Sequence, residues 1–246
     1  LGYVSRSGIR DHTLEAGYAL RVSDPLFRTL SFGVDAERID LITGGLQTQV
    51  VTLRAMEFES HTRDQGNIRI HETKETLTEP YEIWEQGVDK VTIPVGDYSF
   101  SEAEIYFRSG PSRNFWGTIG YRSGEFYDGH RQRKTAGIGW RPSNHFQFTL
   151  NYTVNDVELS YGDFMTQLLQ LRSDIIFSST MSWSTLLQYD NVTETVGINT
   201  RLHWIPRAGQ EAFIVLNHNL QDIELNNRFK STLADLAVKF NYTFRF

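Results

Sequence analysis

The stretch Asn144 to Asn155 reads Asn-His-Phe-Gln-Phe-Thr-Leu-Asn-Tyr-Thr-Val-Asn, and from His145 onward polar and apolar side chains alternate without an exception. Successive side chains of a β-strand point to opposite faces, so this alternation predicts a strand with one apolar and one polar face. The same pattern recurs in Leu14 to Val22 and in Leu236 to Phe246. The sequence therefore predicts an all-β fold.

About fourteen strands are predicted, and turn residues such as Ser23-Asp24-Pro25 and Ser109-Gly110-Pro111 separate them. Their approximate bounds are 1-9, 12-22, 28-38, 45-58, 66-75, 98-108, 114-122, 131-141, 145-155, 164-177, 181-190, 194-205, 211-220 and 233-246. The one long segment without a pattern is 76-97, which is predicted to be a loop.

Composition excludes several classes of function. The 246 residues include no Cys, which excludes zinc ribbons and thiol nucleophiles. Lys and Arg number 24 against 30 Asp and Glu, a net charge of -6 that argues against a nucleic-acid partner. The longest purely apolar run, Ala212 to Leu216, is far too short for a transmembrane helix. No cofactor and no metal site is expected, because no pair of His residues has the spacing of metal ligands.

Alternation alone also fits a soluble β-sandwich or barrel, but three features favour a membrane barrel. The predicted strands reach the roughly nine to eleven residues that a tilted strand needs to cross the hydrocarbon. Their polar faces carry bulky charges of both signs. Aromatic residues gather at strand ends, as Trp140, Tyr189 and Trp204 do before turns. We therefore predict a single domain over 1-246, a transmembrane antiparallel up-and-down β-barrel of the bacterial outer membrane with about 14 strands; 12 to 16 strands, or part of a larger barrel, remain open.

The lengths of the connections support this topology. If the last strand ends in the periplasm, the short connections 23-27, 109-113, 142-144, 178-180 and 206-210 all fall on the periplasmic side. The longer ones, 76-97, 123-130, 156-163 and 221-232, then fall outside, which is the known asymmetry of these barrels. An even total requires residues 1-9 to form a strand.

Both ends of the chain carry expectations. Tyr242, Phe244 and Phe246 end the last strand on its apolar face, which resembles the signal that delivers outer-membrane barrels to their assembly machinery. Outer-membrane lipid and that machinery are therefore expected partners. The chain begins at Leu1 without an initiator Met or a leader, so it is interpreted as a processed protein or an excised domain.

Several short blocks of sequence resemble a largely uncharacterised family of bacterial outer-membrane proteins with an N-terminal carbohydrate-binding family 9-like domain and a C-terminal β-barrel domain. The blocks are Glu75-Leu77, Val95-Tyr98, Glu125-Gly129, Gly162-Phe164, Gln188-Asp190, Asn199-Trp204 and Ala208-Val215, within a resemblance that spans roughly Glu75 to Phe246. It implies a C-terminal piece of such a protein or a shortened member, with a preceding domain or other subunits of a complex as partners and carbohydrate-related substrates. The family brings no agreed catalytic residues.

The best candidates for function are charged side chains on the polar faces, because lumen charge sets what passes a barrel. These lumen-lining candidates are Glu102, Glu104, Arg108, Arg122, Arg172, Asp174, Arg201, His203 and Lys239. The four Arg residues could form a basic ladder facing the acids, or each charge could only neutralise its neighbours.

The segment 76-97 carries the aromatic residues Tyr81 and Trp84 and adjoins Tyr98. It is predicted either to fold inward as a constriction or to stand outside as a ligand-binding cap. The function that follows is a channel, or the anchor and translocation module of a larger protein, without catalytic residues. A structural barrel with a plugged lumen is the first alternative. A barrel hydrolase is the second, and a Ser/His or Asp/His cluster at one rim would favour it.

Overall fold

A computed structural model describes residues 8-223, 225, 226 and 228-243, which form fifteen β-strands. The strands are β1 (Ile9-Arg21), β2 (Phe27-Leu41), β3 (Leu46-Ser60), β4 (Gln65-Leu77), β5 (Tyr81-Gln86), β6 (Asp89-Ile93), β7 (Gly96-Arg108), β8 (Phe115-Phe126), β9 (Gly129-Ser143), β10 (Phe146-Leu159), β11 (Gly162-Ser178), β12 (Met181-Asp190), β13 (Thr195-Trp204), β14 (Gln210-Gln221) and β15 (Lys230-Tyr242). No helix long and apolar enough to cross a membrane occurs among these residues.

Thirteen strands form one antiparallel sheet in the order β1-β2-β3-β4-β7-β8-β9-β10-β11-β12-β13-β14-β15, and β5 pairs with β6 as a separate hairpin. Strands that follow one another along the chain are therefore neighbours, as in an up-and-down arrangement. Within the described part of the chain, β1 and β15 each have a single neighbour. The all-β, antiparallel class is confirmed, and the described strands do not show a closed barrel.

Thirteen of the predicted strands match the strands of the large sheet, whereas three predicted loops are wrong. The segment 76-97 contains the hairpin of β5 and β6. The predicted loops 123-130 and 156-163 are two-residue turns, because β8 and β10 continue to Phe126 and Leu159. The predicted first strand, 1-9, lies almost wholly outside the described residues.

Residue contacts divide the chain into two compact units. The first unit comprises 1-110, 119-134 and 155-165, and the second comprises 111-118, 135-154 and 166-246. Buried hydrophobic side chains concentrate in the first unit, where they pack together as Val91, Ile93, Phe100, Phe126, Val157 and Leu159. In both units, many more large hydrophobic side chains stay exposed than are buried. The fold thus leaves many large apolar side chains exposed.

Candidate functional site

The two faces of the sheet exchange polarity part-way along β4 and β7. We call the face of β7 with Phe100 and Glu102 the hairpin face, because β5 and β6 cover part of it, and the opposite face the open face. On the open face the paired residues are first apolar and then polar: Gly66↔Phe107, Ile68↔Ile105, Ile70↔Ala103, Glu72↔Ser101, Lys74↔Ser99 and Thr76↔Asp97. The hairpin face changes in the opposite sense, from Glu104 and Glu102 to Phe100 and Tyr98.

Strand β8 shows the same exchange within the first unit. Its open face carries Ile119 and Tyr121, both exposed, and then Ser123 and Glu125. Its hairpin face carries Arg122 and then the buried Phe126. The polarity of β8 therefore changes at the level of the ion pair between Arg122 and Glu102, which is also the level of the change on β7.

Beyond that level the hairpin face holds an ordinary hydrophobic core. Val91 and Ile93 of β6 are buried against Phe100, Phe126 and the β10 residues that complete the cluster, Val157 and Leu159. Apolar burial stabilises by about 25 cal/mol per Å² of surface removed from water, so the core holds the hairpin on the sheet. This end of the first unit is built like a water-soluble protein.

The three predicted loop aromatics lie in or beside the hairpin. Trp84 stacks on Phe164 at 5.6 Å between ring centroids. Tyr98 donates a hydrogen bond to the backbone oxygen of Pro94 at 2.9 Å. Tyr81 is half exposed and sits opposite Ile93 in the hairpin. The segment therefore folds over part of the hairpin face.

Tyr127 in the turn between β8 and β9 secures this packing. Its φ of 53° lies in the left-handed region that a bulky residue seldom adopts. The ring contacts the rings of Tyr98, Phe100 and Phe126, and its hydroxyl donates to Glu75 at 2.8 Å. Burial, and next the bond to Glu75, raise the pKa of the Tyr127 phenol, which stays protonated as a donor.

Directly below the core, Glu102 joins three strands. Its side chain is 1% exposed and accepts bonds from Arg122 of β8, with Nη2 at 2.6 Å and Nε at 3.0 Å. Arg131 of β9 binds the same carboxylate, with Nε at 2.8 Å and Nη2 at 2.5 Å, while its guanidinium lies 4.0 Å from the centroid of the Phe126 ring. One buried carboxylate therefore binds two arginines at the base of the core, and the three side chains together carry a net charge of +1.

Further charges of the first unit follow on the same face. His71 pairs with Glu102 in register, its Nδ1 lies 3.0 Å from the hydroxyl of Thr52, and its Nε2 lies 3.7 Å from Glu104. Arg108 ends β7 opposite Gln65. Additional ion pairs on β2 to β4 join Arg54 with Asp35 and Arg69 with Glu57. Acids and bases are thus largely paired locally.

In the second unit, the predicted charges lie on the polar face of β11 to β15. Arg172 donates to Asp174 at 2.8 Å, and Ser184 donates to the same carboxylate at 2.7 Å. Arg201 lies opposite Ser184 in register. His203 stacks on Phe213 at 4.4 Å, and Lys239 lies opposite Phe213. The amide side chains of Gln188, Asn199, Asn217 and Asn219 lie between this group and the β12-β13 turn.

Of the four arginines among the lumen-lining candidates, Arg122 pairs with Glu102 and Arg172 pairs with Asp174. Arg131 is the main residue that the sequence reasoning missed. On β9 it has the parity of Arg133 and Thr135, opposite to the apolar Ile138, so counting by two would have placed it on the polar face. Its partner Glu102 lies 29 residues away, and alternation does not predict such a pairing.

Other predicted features are placed as follows. Tyr242 is exposed at the end of β15, while Phe244 and Phe246 lie outside the described residues. Two Ser-His contacts occur near turns in the described part of the chain: the Ser123 hydroxyl lies 2.9 Å from Nε2 of His130 on the open face, and the Ser231 hydroxyl lies 3.0 Å from Nε2 of His218. Within the described part of the chain, no group of three or more His, Cys, Asp or Glu side chains is arranged to hold a metal ion.

Comparison with protein families, curated proteins and solved structures gives no match for this chain. The resemblance to outer-membrane barrels that follow a carbohydrate-binding family 9-like domain therefore stays a prediction from the sequence blocks.

Proposed function

We propose that the chain is a β-barrel domain of the bacterial outer membrane, which anchors a larger protein or assembly and whose passage is closed by the β5-β6 hairpin. The exchange of polarity along β4, β7 and β8 carries this proposal. In lipid a strand turns its apolar side chains outward, whereas in water it buries them. A strand that turns its apolar side chains outward along one part and buries them along the next is expected where the strand leaves the hydrocarbon for water.

The height of the exposed apolar band supports insertion. Along β10 the apolar side runs from Phe146 to Val154, which is eight residue steps. At about 3.4 Å per step the band is about 27 Å along the strand, or about 20 Å after a tilt of about 40°. Outer-membrane barrels show an apolar band about 25 Å tall, so the dimension fits a bilayer.

Closure of the sheet is part of the proposal. An open edge in hydrocarbon leaves backbone N-H and C=O groups unsatisfied, at a cost of several kcal/mol each. In a sheet of thirteen antiparallel strands the first and last, β1 and β15, run in the same direction. One more antiparallel strand gives the even number usual in bacterial barrels. The sequence assigns that strand to residues 1-9.

Accessibility of single cysteines tests insertion, since the chain has no Cys of its own. Ser99 and Ile105 lie on the same face of β7, six residues apart, on either side of the change in polarity. We expect a membrane-impermeant maleimide to label Ser99→Cys in intact cells, and to label Ile105→Cys only after the membrane is dissolved and the protein unfolded. Equal labelling of both variants in intact cells would contradict membrane insertion at this level.

Closure by the hairpin follows from its position. The hairpin lies on the face that carries Glu102, and in a membrane barrel that face lines the lumen because the opposite face is apolar at the same level. The apolar side chains of the core beneath the hairpin pack together. The charged side chains below the core bind one another rather than passing solutes. An anchor with a closed passage agrees with this arrangement better than an open channel does.

The substitution Ile93→Asp is expected to open the passage. Ile93 is fully buried, and a carboxylate there would lose its hydration without a partner, so the hairpin should leave the sheet. We expect low conductance of the unaltered chain in planar bilayers and at least a several-fold increase for Ile93→Asp. Val88→Asp at the hairpin tip, where the side chain is 94% exposed, is the matched control and should conduct like the unaltered chain. An unaltered chain that conducts as freely as Ile93→Asp would show that the hairpin does not close the passage.

A hydrolase remains the second candidate because of the contact between Ser123 and His130. A nucleophilic serine needs, besides its base, donors for the oxyanion that forms during attack. Both residues lie within neighbouring strands whose backbone N-H groups serve the sheet. A Ser-His contact alone therefore supports a hydrolase less than a complete triad would, and the anchor with a closed passage is the better-supported function.

A further inference from the structure

A groove crosses the polar face of the second unit above β13. It encloses about 420 Å³ and is formed by β12, β13, β14 and the start of β15. Its floor is Gly197, and its walls are Gln188 and Leu186 on one side and Asn217, Asn219 and Leu233 on the other. The register places these walls on adjacent strands, since Gly197 pairs with both Gln188 and Asn219. The depression exists because Gly197 lacks a side chain.

The groove is lined by amides in two rows. Gln188 and Asn219 flank Gly197 in one row, and Asn199 and Asn217 form the next. Within a row, neighbouring strands are about 4.8 Å apart, and the rows are about 7 Å apart along the strand. The lining is therefore a grid of groups that both donate and accept hydrogen bonds.

These amides have hydrogen-bonding capacity beyond the bonds between them. Asn199 donates to Asn217, and Gln170 donates to Gln188 at 3.1 Å. Each such bond uses one of two N-H groups on the donor and one of two lone pairs on the acceptor. The other N-H groups and lone pairs of the same amides can bind a ligand in the groove.

The lining carries no positively charged side chain. Asp190 is the one ionisable residue among the lining residues, and its carboxylate accepts the backbone N-H of Val192 at 2.8 Å and of Thr193 at 3.3 Å in the turn. An anionic solute would lose hydration here without meeting an opposite charge. An uncharged solute with several hydroxyl groups would meet donors and acceptors together, and Leu186 and Leu233 would cover its C-H surface.

We infer that this groove is a binding site for uncharged, polyhydroxylated solutes of the size of a short oligosaccharide. The inference rests on the groove alone, and its failure would leave membrane insertion and the closing hairpin untouched.

Binding of maltotriose to the full chain in detergent micelles, followed by saturation-transfer NMR, tests the inference. Gly197→Leu should fill the groove without strain, because a Cβ there meets no atom closer than 3.5 Å and the backbone is not left-handed. We expect maltotriose to bind the unaltered chain and to bind Gly197→Leu at least ten-fold more weakly. Glucose 6-phosphate should bind the unaltered chain at least ten-fold more weakly than maltotriose does.

Gly117→Leu is the matched control, since Gly117 is also a strand glycine, a Cβ there meets no atom closer than 3.6 Å, and it does not line the groove. It should bind maltotriose like the unaltered chain, provided that both variants keep the β-sheet circular dichroism of the unaltered chain. Absence of maltotriose binding by the unaltered chain, equal binding by Gly197→Leu, or equal binding of glucose 6-phosphate would each overturn the inference.

Discussion

Replacing Glu102 by Gln is expected to lower the free energy of unfolding by about 3 to 5 kcal/mol, because removal of one partner of a buried ion pair leaves the other charge uncompensated. Here two guanidinium groups lose their counter-charge at once, since Arg122 and Arg131 both bind the Glu102 carboxylate, whose side chain is 1% exposed. Urea titration of the chain folded into liposomes, monitored by Trp fluorescence, measures the change.

Two variants separate this effect from a loss of packing. In the triple variant Glu102→Leu, Arg122→Met, Arg131→Met no charge is left unpaired, so it should recover at least half of the lost stability. Asp40→Asn breaks the exposed pair of Arg38 and Asp40, and it should leave the free energy of unfolding nearly unchanged because water screens the pair. A Glu102→Gln variant no less stable than Asp40→Asn would show that the ion pairs of Glu102 contribute little to stability.

The bounds of β12 and β14 were predictable from the sequence, because turn residues enclose both strands. β12 occupies Met181-Asp190, the predicted bounds, and its apolar Met181, Trp183, Leu187 and Tyr189 share one side, although Thr185 and Leu186 interrupt the alternation. β14, at Gln210-Gln221, lies within a residue of its predicted bounds, although the run Ala212 to Leu216 is apolar on both sides. Alternation with one buried or lipid-facing side is a local property, and local properties can be read from one sequence.

Strands that change face were predicted too short. β8 was predicted to end at residue 122, where the apolar residues pass from the open face to the hairpin face, yet it continues to Phe126. β10 likewise continues past its predicted end, with Asp156 and Glu158 now opposite to the buried Val157 and Leu159. A search for one apolar face interprets the change as the end of a strand, so a strand whose apolar residues pass to the other face resembles a strand followed by a polar loop.

The packing of the hairpin and the ion pairs of Glu102 depend on contacts between residues that are distant in sequence. Val91 and Ile93 are apolar because they pack against strands that follow them by up to seventy residues, and nothing in the segment 76-97 itself indicates that surface. Glu102, Arg122 and Arg131 lie on three consecutive strands, which the sheet order brings together. The order of the strands does not determine that Arg131 rather than Arg133 binds Glu102. The sequence alone placed Glu102 and Arg122 on polar faces without pairing them.

The stretch that decides the fold also offers a direct measure of its environment. Leu150 and Asn151 are adjacent on β10 and point to opposite sides of the sheet, and Leu150 is 39% exposed on the apolar side. If that side faces lipid, Leu150→Arg places a cation near the middle of the hydrocarbon and should lower the free energy of unfolding in liposomes by about 2 to 4 kcal/mol. Asn151→Arg adds the same charge to the polar side and should cost less than about 1 kcal/mol, because water or polar groups can solvate it there.

The comparison of the two variants excludes a general intolerance of β10 to arginine, since backbone, strand and position along the bilayer are shared. In a soluble sheet an exposed Leu150 would face water, and arginine there would be tolerated at least as well as at Asn151. Titration of both variants with urea in liposomes of uniform lipid composition gives the two free energies. Similar values for Leu150→Arg and Asn151→Arg would place the apolar side of β10 in water and remove the main support for a membrane barrel, whereas the expected difference would make burial in lipid the reason for the strict alternation from His145 to Asn155.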